Sequence, residues 1–138
     1  MRYAILLTAA SSWYLVGLSM TVGLVNYPAF QLVGEREWAL FHKHHSEKIA
    51  WAVGSAWVGQ AAGLIWWFGL GGGGSILWWL TGSPAALAVA LTAFSAVGIH
   101  NEISTDRQAR NLHKLRIVHW VRTLCWVLAA VWVSWAIR

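Results

Sequence analysis

The chain has 138 residues, 58% of them hydrophobic and only 11% charged, and a formal net charge of +5. That is too apolar for an ordinary soluble domain of this size, and the bilayer is the solvent such a composition suits. The positive balance does not point to nucleic acid, because the cations cluster beside apolar runs and no basic groove interleaved with aromatics remains once membrane topology accounts for them.

Four apolar runs of about 20 residues, the length that spans the hydrocarbon, fall at residues 4–25, 49–68, 84–103 and 115–137. The fold class read from them is all-α: one integral-membrane four-helix bundle filling residues 1–138, with a cytoplasmic helical extension ahead of the second helix. Arg36, Lys43, Lys48, Arg107, Arg110, Lys114 and Arg116 lie after the first and third runs, against Arg2 and Arg138 at the other end. This bias predicts a bacterial inner-membrane protein with both termini extracytoplasmic. The start mimics a signal peptide, but its apolar run continues to residue 25, longer than a signal core, and reads as the first helix. Cys125 is a lone cysteine inside the fourth run and reads as a small buried hydrophobe.

On the first helix, Thr8, Ser12, Ser19 and Asn26 share a direction with Leu15 and Gly23, so this face is expected to look into the bundle and to make interhelical contacts. Pro28 is expected to end that helix and begin the next. Residues 35–48, EREWALFHKHHSEK, hold three of the six histidines and six of the fifteen charged residues. At about 100° per residue, Trp38, Phe41, His42, His45 and Ile49 form one face, while His44 points away. If the helix runs on without a break, the stripe continues through Ala52, Ala56, Gln60, Gly63 and Trp67. An amphipathic segment lying flat on the membrane is the alternative. Gln60 is expected to hydrogen-bond between helices, and Gly34 is the weakest point of the rod.

Residues 69–75, GLGGGGS, read as a flexible reversal without phosphate-binding spacing; residues 71–75 match a common linker unit. Trp66, Trp67, Trp78 and Trp79 flank it as an interfacial aromatic belt. Ser83 and Pro84 either start the third helix, or Pro84 kinks a longer helix that begins at Ile76. At its far end, His100 and Glu102 diverge by about 200° and cannot face one point. His119, Arg122 and Trp126 share a face of the fourth helix. An arginine one turn inside the membrane must pair, hydrogen-bond carbonyls or snorkel to the interface.

Counting about 1.5 Å per residue from the aromatic belt brings Asn26, His45, His100 and His119 to one level, with His42 one turn further out and Arg122 one turn further in. His42-x-x-His45 puts two imidazoles on adjacent turns. Several histidines with few carboxylates suit copper, iron or haem, whereas the bridged di-iron pattern needs carboxylates this chain lacks. His42, His45 and His100 are the candidate metal ligands. His119 is ligand or base, and Arg122, Asn26 and Asn101 are candidates to orient oxygen groups of a substrate. A metal-free site, with histidine as base and Arg122 beside Asn26 or Asn101 at an oxyanion, uses the same residues.

Several short pieces carry a resemblance: VNYP after the first helix, an aromatic and a histidine in the next segment, IHNEI closing the third helix and HWVRT opening the fourth. Together they resemble the anthrone oxygenase-like family of small four-helix membrane proteins, most specifically in His100-Asn101 and in the W-x-R-T of Trp120, Arg122 and Thr123. The resemblance implies oxidation of polycyclic phenolic anthrones to anthraquinones with dioxygen. The function expected is therefore a membrane oxidoreductase acting on a hydrophobic aromatic or quinone-like molecule that enters from the lipid. The alternative is a structural or haem- or pigment-holding subunit of a homo-oligomer or larger membrane complex. A transporter is disfavoured because no inverted repeat is visible.

Overall fold

The structure is a computed structural model describing residues 1–106 and 108–138; Arg107, one of the cations in the charge bias, lies outside the described residues. Four helices are long and apolar enough to cross a membrane: α1 (Arg2–Ala29), α2 (Glu35–Gly69), α3 (Ile76–Thr105) and α4 (Ala109–Ala136). No strand forms among the described residues. The all-α membrane bundle expected from the apolar runs is the fold observed.

Three of the expected boundaries shift outward or vanish. α1 does not stop before Pro28 but passes through it, because a wider π turn at Val22–Asn26, closed by the Tyr27 N–H on the Val22 carbonyl, comes immediately before the proline. Such a turn lets the helix proceed past a residue that has no N–H to donate. Pro84 likewise lies inside α3, which begins at Ile76 with Ser75 capping the Leu77 N–H at 3.3 Å; Ser83–Pro84 is not a helix start. α2 runs unbroken for 35 residues from Gly34, whose extended backbone ends the turn after α1. The histidine-rich segment is thus the first two-fifths of α2, and not a separate helix lying flat. Between α2 and α3, Gly71 adopts φ +88°, the left-handed geometry that lets the chain reverse within the glycine run.

α1 packs along α2 and α4, and α4 along α1 and α3. The stripe read from α2 is the buried one: Trp38, His42, Ala56, Gln60, Gly63 and Trp67 all turn inward. Gln60 Nε2 donates to Ser12 Oγ at 2.9 Å, and Ser12 Oγ donates in turn to the Thr8 carbonyl at 2.7 Å. The amide is therefore satisfied between helices, as a buried polar group in lipid requires. Cys125 is buried in the central cluster with Leu15, Ala88 and Trp126. Outward faces carry Trp51, Val58, Ile65 and Phe94, each more than two-thirds exposed, which suits lipid contact.

Gly63 sets how closely α1 and α2 approach. A Cβ there would stand 2.8 Å from the Thr8 backbone nitrogen and 3.1 Å from the Ala4 carbonyl oxygen, besides meeting Thr8 Oγ1. Backbone atoms cannot swing aside as a side chain can, so Gly63→Ala must spread the two helices. We expect a loss of about 1–3 kcal/mol, read as an earlier unfolding midpoint in a denaturing-detergent titration; an unchanged midpoint would show that the helices are not held this close.

Candidate functional site

The four helices enclose a cavity of about 350 Å³ at the end of the bundle where α1 turns into α2. Its walls are mainly apolar, with Leu18, Val22, Ile49, Val53, Trp57 and Val97 among them, and its polar lining includes Tyr27, His42, His45, His100, His119 and Arg122. A largely apolar pocket with few convergent polar groups is what binds a hydrophobic molecule in a fixed orientation.

Two π turns flank this cavity, Val22–Asn26 on α1 and Thr92–Ala96 on α3. Each inserts one residue into the helical register and rotates the later part of the helix by about 100°. On α1 this has a clear consequence. Asn26, which α-helical spacing places inside, rotates half out of the bundle and lines a separate outer groove, while Tyr27 takes the interior position at 5% exposure. Asn26 is therefore not brought to the cavity. On α3, Thr92 lies where its hydroxyl donates to the Ala88 carbonyl at 2.8 Å and still accepts from Arg122 Nη1 at 3.0 Å.

Arg122 is held from two sides. Besides Thr92, its Nη2 lies 3.2 Å from His119 Nδ1, and Tyr27 lines the same cavity. His119 Nε2 lies 2.9 Å from the Ser19 carbonyl oxygen. A carbonyl only accepts and a guanidinium only donates, so these two contacts fix His119 as the neutral ring with its proton on Nε2. Both of its nitrogens are engaged, which makes it a positioning residue for Arg122 and leaves it no free nitrogen to act as base or ligand. Arg122 neither snorkels nor pairs with an acid: no carboxylate among the described residues lines the cavity, and Arg122 Nε has no partner there.

The second polar row runs from Tyr27 to α2. The Tyr27 hydroxyl and His100 Nε2 are 3.4 Å apart, and His100 Nδ1 lies 3.1 Å from His42 Nε2. Across the His42–His100 contact one ring donates and the other accepts, so the two imidazoles take complementary tautomers. The row is held from α2 by Trp38, whose Nε1 donates to the Ile103 carbonyl at 2.7 Å and whose ring lies against His42 at 5.1 Å. That bond ties the α2 extension to the end of α3.

His45 stands apart. Its ring packs edge-on against Phe30 at a centroid distance of 5.0 Å and stacks along Phe41, and its Nε2 is buried without a partner among the described residues. Asn101 reaches the cavity from an exposed position at its rim. Glu102 faces away, as its divergence from His100 requires.

His42, His45 and His100 are thus neighbours, yet not arranged as a ligand set. The facing nitrogens of His42 and His100 hydrogen-bond to each other, and no group of three or more histidine, cysteine or acidic side chains stands ready to hold an ion among the described residues. Sequence reasoning missed Tyr27 and Thr92, while Ser19 makes the interhelical contact expected of its face, through its carbonyl. Tyr27 had a signal in the proline after it, since a helix that passes a proline in lipid needs a local change of register; a threonine in an apolar helix gives none.

Comparisons with protein-family models, with curated proteins and with solved structures give no match.

Proposed function

We propose that the chain is a membrane-embedded oxidoreductase whose substrate is a hydrophobic, aromatic or quinone-like molecule that enters from the lipid and sets a phenolic or keto oxygen against Arg122. The observation that carries this reading is the guanidinium itself: a cation in the wall of a largely apolar cavity that no carboxylate lines among the described residues. A buried arginine without a counter-ion is costly, and an oxygen bearing negative charge in the bound molecule compensates it.

The entry route follows from the packing. α2 and α3 are joined near the turn by Trp78 Nε1 donating to the Leu64 carbonyl, and at the other end by the Trp38 and His42 contacts. Between them, Thr92–Ala96 makes its main contacts within α3 and with α4. The cavity lining includes the exposed Ala50 of α2 and Val97 of α3, so the seam between these helices is a lateral opening toward lipid.

For a substrate with an acidic ring methylene, oxidation by dioxygen balances as R2CH2 + O2 → R2C=O + H2O. His45 Nε2, the unpartnered imidazole nitrogen, takes the ring proton; the negative charge moves to the ring oxygen, where Arg122 stabilises it as an oxyanion-hole donor does. The electron-rich ring passes electrons to dioxygen, and the proton returns as the resulting hydroperoxide loses water to leave the ketone. His119 and Thr92 hold Arg122 in place, and Tyr27, His100 and His42 form a second hydrogen-bonded row in the same cavity.

The test is dioxygen uptake by the purified protein in lipid nanodiscs, with anthrone as probe. We expect protein-dependent uptake of one dioxygen per anthraquinone formed. Quinone formation no faster than in empty nanodiscs would overturn the reading.

The seven-to-two cation bias supports an orientation with the cavity end cytoplasmic and both termini outside, in a bacterial inner membrane. Single cysteines added near Arg2 and near Lys43 test this: only the first is expected to react with an impermeant thiol reagent in intact cells, and the opposite pattern would reverse the orientation.

A further inference from the structure

A second concavity, about 470 Å³, lies on the outer surface where the end of α1 meets α2. Its floor is apolar, with Val25, Ala29, Ile49 and Ala52, and its polar lining comes from Asn26, His44, His45 and Lys48. No carboxylate among the described residues borders it. Its depth in the bilayer follows from helix geometry. Lys48 is eighteen residues from Trp66 of the aromatic belt, or about 27 Å along a helix. In a hydrocarbon layer about 30 Å thick, that puts the ammonium just at the opposite boundary. An amine at that depth reaches for the nearest anionic oxygen, and the groove beneath it is lined for a hydrocarbon chain.

We propose that this groove binds an anionic glycerophospholipid, its phosphate held by Lys48 beside Asn26 and His44 and the start of an acyl chain lying along Val25, Ile49 and Ala52. The choice of occupant rests on charge complementarity and location: the groove opens outward on membrane-spanning helices at the level of the headgroup boundary, and its lysine has no acid beside it in the lining. The inference rests on the membrane reading of the four helices and is independent of the chemistry assigned to the inner cavity. The two sites share a wall, since His45 and Ile49 line both; a lipid in the groove covers the outer side of that wall.

Native mass spectrometry tests this on the full chain released from bilayers of phosphatidylglycerol and phosphatidylcholine with matched acyl chains. We expect one phosphatidylglycerol retained in preference to phosphatidylcholine, and a preference about five-fold weaker in Lys48→Gln, as loss of one lysine near an anionic surface predicts. Lys48→Arg should keep the preference, which separates lost charge from lost folding. Lys43→Gln, an exposed cation outside the groove, should leave it unchanged. Equal retention of the two lipids, an equal effect of Lys43→Gln, or displacement of the lipid by millimolar inorganic phosphate would each overturn the proposal, the last by showing a site for a free anion.

Discussion

Arg122→Met is expected to slow anthrone oxidation by about 10²–10³-fold, the range for removing one donor from an oxyanion site, with little change in stability. The two effects separate because of how the arginine is held. Methionine keeps the length and apolar bulk of the side chain, so the space beside Thr92 stays filled. Thr92 still donates to the Ala88 carbonyl, and His119 still meets the Ser19 carbonyl at 2.9 Å. What disappears is a desolvated charge with no acidic partner, and replacing buried charge by an apolar group of similar volume is often neutral or stabilising. Arg122→Lys should recover part of the rate, since an ammonium supplies charge but not the planar fork that meets Thr92 and His119 together. Turnover at the parental rate in the methionine variant, measured by anthraquinone absorbance at equal protein, would remove Arg122 from the reaction.

The placement of that arginine shows which features a sequence carries and which it does not. The α2 stripe from Trp38 to Trp67 was legible because regular α-helix keeps a fixed angle per residue over its whole length, and this helix has no break between Glu35 and Gly69. The inward direction of His42 and His119 and the interhelical role of Gln60 follow from the same regularity. Periodicity misleads where the period changes. Asn26 and Tyr27 exchange roles because of one π turn, and nothing in the apolar pattern of VGLVN distinguishes five residues of π turn from five of α-helix. Pro28 and Pro84 do not act as boundaries, since in lipid the pressure to keep backbone groups paired carries a helix past a proline that would end it in water. The role of His119 was illegible for another reason: spacing shows that the ring faces inward, but not that Ser19 and Arg122 will occupy both of its nitrogens.

His45→Phe is expected to separate activity from stability in opposite directions. Phenylalanine preserves the ring, so the edge contact with Phe30 at 5.0 Å and the stacking along Phe41 are kept. The only group lost at the buried edge is Nε2, which has no hydrogen-bond partner to lose among the described residues. Exchanging an unsatisfied buried polar atom for an apolar one removes a desolvation penalty, so the unfolding midpoint should stay level or rise. If Nε2 is the base, turnover falls by about 10²–10⁴-fold, the usual contribution of a positioned general base. His42→Phe provides the contrast. It takes a partner from His100 at 3.1 Å and leaves a part-buried imidazole nitrogen unpaired, so it should cost about 1–3 kcal/mol of stability. A purely structural role for the histidine cluster would make both variants less stable and lower turnover only in proportion to the protein left folded. A stable His45→Phe protein with full turnover would transfer the base assignment away from His45.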